Sequence, residues 1–173
     1  PKKYLAKVKY ISHQSDLAIL EVEDKDFFKG IVPFKINDNI KVRDKVTVLG
    51  YPIGGNIISI TTGIVSRIEY RNYVWSKEKL LAIQIDAAIN SGNSGGAVVN
   101  EDNELVGIAM MKLRRSSNIG YIVPIIVIKA FLKDIEINLG IQPNHYKHLF
   151  EIEIVKEITS TYYNPKEIDT LLK

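Results

Sequence analysis

The chain has 173 residues, a formal net charge of +3 and a hydrophobic share of 46%, which fits one folded globular unit. It has no cysteine, which excludes a disulfide framework, a thiol nucleophile and a thiolate metal site. The lysines are scattered, with no aromatic-interleaved basic patch, so nucleic-acid binding has no support; nor does any apolar run approach the roughly 18 residues a membrane span needs.

In chain order, the opening Pro1-Lys2-Lys3 carries no initiator methionine and no signal-type segment, which predicts a piece of a longer protein. Alternation of period two predicts strands over 4–11 and 17–22, with His13 in the turn between them and Asp16 at the head of the second. Strands follow over 46–51 and 57–69, the second with Ile57, Ser59 and Thr61 alternating against Ile58 and Ile60. Gly50-Tyr51-Pro52-Ile53-Gly54-Gly55 reads as a hairpin turn, because Pro52 and the strand at 57 stand where a phosphate loop needs a helix N-terminus. Residues 80–89, 96–99, 104–111 and 119–123 supply four more strands, and a helix starts at Pro124, a favoured first helical residue, and runs to about Ile135. Many short strands, Gly/Pro/Asn turns and one helix predict a mostly β, antiparallel barrel fold.

Residues 86–96 read Asp-Ala-Ala-Ile-Asn-Ser-Gly-Asn-Ser-Gly-Gly. Glycine on either side of the Asn93-Ser94 pair lets the backbone turn sharply, so the amides of Gly92 and Ser94 can aim at one carbonyl oxygen. A plain Gly/Ser/Asn turn between two strands fits the same residues. A serine hydroxyl becomes a nucleophile only when a base takes its proton and a carboxylate orients that base. Asp16 and Asp86 are the candidate carboxylates, and Asp86, on the strand entering the loop, reads as a structural acceptor.

Ser15-Asp16-Leu17-Ala18-Ile19-Leu20 together with Gly92-Asn93-Ser94-Gly95-Gly96 resembles the HtrA/Deg branch of the trypsin-like serine proteases. Val48 to Gly55, Thr62 to Ser66, Ile83 to Asn90 and Asn118 to Pro124 extend the likeness. It is continuous from about Leu5 to Phe131 and nearest to the plant and organelle-type Deg proteases. The resemblance implies a chymotrypsin-type double antiparallel β-barrel with its N-terminal barrel truncated and a closing helix, over residues 1–136. Residues 137–173 then resemble the start of a PDZ domain, a private helix-strand tail being the alternative.

By that resemblance Ser94 is the nucleophile, Asp16 the orienting carboxylate, and Gly92, Asn93 and Ser94 the oxyanion hole. Ile89, Leu113 and Ile119 line a small aliphatic pocket for the side chain preceding the scissile bond, with barrel core the alternative fate of each. Strand 108–111 pairs with substrate backbone. Asn93 cannot form the ion pair that zymogen-type relatives make with a freshly cleaved N-terminus, so ordering of loops 89–93 and 111–119, with 70–79 as a sensing loop, falls to substrate or PDZ contacts. The family's histidine lies about thirty residues before its aspartate, whereas this chain begins fifteen residues before Asp16. The catalytic histidine is therefore expected outside the chain. His13 sits in a turn, and His145 and His148 have neither a carboxylate partner nor a third metal ligand nearby. No metal and no cofactor are expected.

The function so implied is an endopeptidase of protein quality control, acting on unfolded or misfolded polypeptides as a homo-oligomer, a trimer or a multiple of trimers, when full length. A catalytically silent homologue serving as peptide-binding or chaperone scaffold is the alternative. The compartment stays open between organelle, periplasm-like space and cytoplasm.

Overall fold

The computed structural model describes residues 3–72, 79–112 and 118–139. Strands β1 (Ala6–Ser12) and β2 (Leu17–Val22) form an antiparallel hairpin around a turn at 13–16, followed by a 3-10 turn at Lys25–Phe28 that the sequence reading missed. Asp24 caps that turn, its carboxylate accepting from Asp26 N at 2.9 Å. Then come β3 (Lys45–Gly50), β4 (Ser59–Asn72), β5 (Lys79–Ile85), β6 (Ala97–Val99), β7 (Leu105–Lys112), β8 (Gly120–Pro124) and helix α1 (Ile125–Leu139). Six strands close a barrel in the order β3-β4-β5-β8-β7-β6, while β1-β2 remains a separate two-stranded sheet.

Two layers of core follow from the patterning. In β3, Val46 and Val48 alternate inward and join Val65, Ile83, Ile85, Val98, Val106 and Ile122 in the barrel interior. Strand β8 is buried along its whole length, since α1 covers its outer face and an alternating pattern would expose apolar side chains to nothing. Ile125, Ile128 and Ile135 of α1 join Met110, Tyr121 and Val123 in this outer layer. Leu17 from β2 belongs to the same cluster, with Tyr10 and Ile19 packed against it, and so fastens the hairpin to the barrel.

The structure corrects three sets of boundaries, the first being the strand expected over 57–69, which runs Ser59–Asn72. Pro124 is the last residue of β8, paired with Gly107, and α1 begins at Ile125 and runs to Leu139. The strand expected over 80–89 ends at Ile85, because the Asp86 carboxylate takes the amide of Ile64 at 2.6 Å and turns the chain away from the ladder. Gly63 makes room for this: a Cβ there would collide with Asp86 Oδ1 and the backbone of Ala87. Of the expected PDZ start, residues 137–139 continue α1 and the rest lies outside the described residues. Among the described residues no helix is long and apolar enough to cross a membrane.

Candidate active site

Residues 86–96 cross the mouth of the barrel from β5 to β6 and are fastened at nearly every step. The Thr61 hydroxyl donates to Ala88 O at 2.8 Å. Ile53 N donates to Ser91 O at 2.9 Å. Gly95 N donates to Ala109 O at 2.8 Å, and Ala109 N returns a bond to Gly96 O at 2.9 Å. Glycine is required by this path. Gly92 has φ 98° and Gly95 φ 85°, in the region that disfavours side chains. A Cβ on Gly92 would also lie 2.6 Å from Ile53 N, and one on Gly96 would strike Leu49 O.

Ser94 is thereby displayed at the surface with its hydroxyl donating to the Met110 carbonyl of β7 at 2.8 Å. The hydroxyl proton is thereby held on a backbone oxygen. The amide of Asn93 is committed to Asn90 O at 3.0 Å. Among the described residues the amides of Gly92 and Ser94 donate to no protein acceptor. Of the three anion-hole residues named from sequence, these two have donors to offer a developing oxyanion. The Asn93 side chain is buried against Gly50, and its Oδ1 has no hydrogen-bond partner among the described residues.

Asp16 closes the β1-β2 turn with φ 55°, an αL conformation that aspartate tolerates better than most residues, and its side chain is exposed. No hydrogen bond joins it to Ser94 among the described residues. The two are related through packing, since Leu17, next to Asp16, shares a cluster with Met110, the acceptor for Ser94. His13 is exposed in the same turn. Asp86 carries the structural hydrogen bond already described.

Ile89 lies in the barrel core with its Cδ1 2.7 Å from where a Cβ on Gly120 would be. Ile119 is partly buried against the outer cluster. Leu113 lies outside the described residues, as do Tyr73, Trp75, His145 and His148. Beside the β8 wall, the buried Tyr121 hydroxyl lies 3.0 Å from Glu69 Oε1 and 3.2 Å from Gln84 Oε1. Its ring carries the Arg71 guanidinium 4.7 Å from the centroid. Burial, reinforced by the bond to Glu69, raises the pKa of Tyr121 and keeps its proton in place.

Sequence reasoning missed the Met110 carbonyl, the Gly50 contact to Asn93, and the contribution of the β3-β4 connection. The backbone acceptor leaves no mark in residue type. Ile53 was legible as an aliphatic in a glycine-rich turn, whereas Ile57 was read as the start of a strand that begins only at Ser59.

The chain matches the family described as "Trypsin-like peptidase domain" over residues 1–108. It is 47% identical over 139 residues to "Protease Do-like 2, chloroplastic" of Arabidopsis thaliana, covering 79% of this chain and 23% of that protein. It is 46% identical over 138 residues to "Protease Do-like 4, mitochondrial" of the same plant, covering 80% of this chain and 26% of that protein. Among solved structures, "HtrA-type protease AlgW with decapeptide" superposes with a TM-score of 0.65 at 28% identity, covering 78% of this chain and 42% of that one. The chain thus spans about a quarter of the length of the curated relatives it matches.

Proposed function

The chain belongs to the HtrA/Deg branch of the trypsin-like serine proteases, and from that premise we propose that Ser94 is the acylated nucleophile of an endopeptidase that cleaves unfolded polypeptides. The observation that carries this reading is the display of Ser94 beside two uncommitted amides, on a backbone path that only glycine at 92 permits. In the reaction a histidine base takes the Oγ proton as the bond to Met110 O is given up, and Oγ adds to the scissile carbonyl. The carbonyl oxygen becomes an oxyanion held by Gly92 N and Ser94 N. The imidazolium returns the proton to the leaving amine, and water, activated by the same base, hydrolyses the ester on Ser94. Asp16 orients the imidazole and stabilises its cation without taking its proton. Beyond Ala109, whose carbonyl and amide are taken by Gly95 and Gly96, the edge of β7 takes the acyl portion of the substrate alongside Met110.

A fluorophosphonate probe applied to the full-length protein tests this directly. The expected outcome is a single phosphonylated peptide containing Ser94, abolished in Ser94→Ala together with cleavage of a denatured protein. Cleavage that persists in Ser94→Ala, or an adduct on another serine, overturns the assignment. A full-length protein that takes no label and cleaves nothing is instead the peptide-binding scaffold.

A further inference from the structure

Tyr121, the second residue of β8, is buried in the outer layer, where a phenylalanine would fill the same space without taking a hydroxyl out of water. Its oxygen is provided for. The hydroxyl donates to Glu69 Oε1 of β4 at 3.0 Å and lies 3.2 Å from Gln84 Oε1 of β5. Arg67 Nη1 is 3.5 Å from Glu69 Oε2 and Arg71 Nη1 is 3.7 Å from Oε1, so the carboxylate is held from both of its oxygens, and Arg71 also stands over the Tyr121 ring. One phenol thus ties β8 to β4 and β5 through side chains, in addition to the backbone ladders.

The tie lies next to the end of both ladders. Strand β8 starts at Gly120, which pairs with Ile85 on one side and Lys112 on the other, and the terminal pair of a ladder opens most easily. Gly120 is also the residue that meets Ile89: a Cβ there would lie 2.7 Å from Ile89 Cδ1 and 3.3 Å from Ala87 O. The Gly120 backbone and the Ile89 side chain are packed without slack, so even a small shift in the start of β8 changes the room beside Ile89.

We propose that Tyr121 is a positioning residue for the pocket that receives the side chain before the scissile bond: its hydroxyl fixes the start of β8, holds the Gly120 wall against Ile89 and so keeps the slot narrow. The assignment rests on the readings of Ser94 as nucleophile and of Ile89 as a pocket residue. The full-length wild type, Tyr121→Phe and Glu69→Gln are compared in two ways, by mapping all cleavage sites in a denatured protein and by timing the labelling of Ser94 with a dialkyl fluorophosphate, which carries no amino-acid side chain. In the wild type, valine and isoleucine should predominate before the bond. Tyr121→Phe should lose about tenfold of the preference for these over leucine and phenylalanine, while the rate of labelling stays as it was. Glu69→Gln, which keeps an acceptor for the phenol, should retain the narrow profile. A Tyr121→Phe profile like that of the wild type overturns the positioning role. So does a Glu69→Gln profile as wide as that of Tyr121→Phe, which assigns the effect to the charge of Glu69, and so does labelling that slows in step with cleavage, as it would in a protein that is only less stable. Labelling of the wild type separates the two levels: a labelled Ser94 with an unaltered profile overturns the positioning role alone, and an unlabelled Ser94 overturns both.

Discussion

Asn93 is 1% exposed and its Oδ1 lacks a partner among the described residues, so the site already carries an unpaired buried acceptor at a cost of about 1–3 kcal/mol. A carboxylate there would cost far more, because an unpaired charge would replace an unpaired dipole. Asn93→Asp is therefore expected to bind its proton well above the ordinary carboxylate range when folded. The folded state then holds more protons than the unfolded one, so this variant should lose stability as pH rises above about 4. Thermal unfolding of wild type and variant between acid and neutral pH would show the opposite slopes. Gly92→Ala combines a φ of 98° with a contact 2.6 Å from Ile53 N. Strain of about 1–3 kcal/mol must be relieved by moving the anion-hole amide, and labelling of Ser94 should slow at least about tenfold.

At the scale of elements, the two aspartates separate by what each connects. Asp86 ties the end of β5 to the Ile64 amide in β4, so Asp86→Ala should lower stability by about 1–2 kcal/mol, read as a fall of several degrees in Tm. Asp16 lies in an exposed turn and supports no such bond among the described residues. Asp16→Asn should leave Tm in place and lower kcat of the full-length protein by about 10⁴-fold. The β6-β7 turn carries a pH effect of its own. Glu104 Oε2 accepts from Asn37 Nδ2 at 2.6 Å and Asn100 Nδ2 at 3.0 Å, and these bonds hold its carboxyl below the ordinary 4.5. A depressed folded pKa gives stability that is present above 4.5 and lost as pH falls through the folded value. In Glu104→Gln the fall of Tm on acidification should be shallower, as measured by thermal unfolding across that range.

At the scale of the whole molecule, the β1-β2 sheet packs Tyr10, Leu17 and Ile19 on the barrel and turns Val8, Ile11 and Leu20 outward, 63%, 60% and 60% exposed. On our proposal that β1-β2 belongs to a first barrel, such a face is one that the other strands of that barrel cover. Residues 1–173 expressed alone should consequently self-associate through it. Light scattering coupled to size exclusion would detect this, and Leu20→Lys should shift the distribution towards monomer. On our proposal that none of these residues supplies the base, residues 1–173 alone should show no casein cleavage above background, since removing the base costs about a millionfold in turnover. Cleavage sensitive to Ser94→Ala would place a working base within these residues.

What the sequence by itself determined is whatever leaves a local signature. Short apolar runs between Gly, Pro and Asn turns marked all eight strands, alternating where a strand such as β3 has one face in a core and continuous in β8, which is buried on both faces; the Gly-Asn-Ser-Gly-Gly run marked the displayed serine, since few residues other than glycine take the φ of Gly92 and Gly95 cheaply. Asp86 could be read as structural from its place at the entrance to the loop. The tertiary structure alone decided the rest. Strand 80–89 stops at Ile85 because a carboxylate outcompetes the ladder for one amide, and Pro124 ends a strand instead of starting a helix because Gly107 pairs with it. The Ser94 hydroxyl points at a backbone carbonyl sixteen positions away, and Ile53 is held beside Gly92 by a bond between loops 38 positions apart (91 − 53). Contacts of this kind join main-chain atoms that every residue possesses, and only the closure of the barrel brings them within reach.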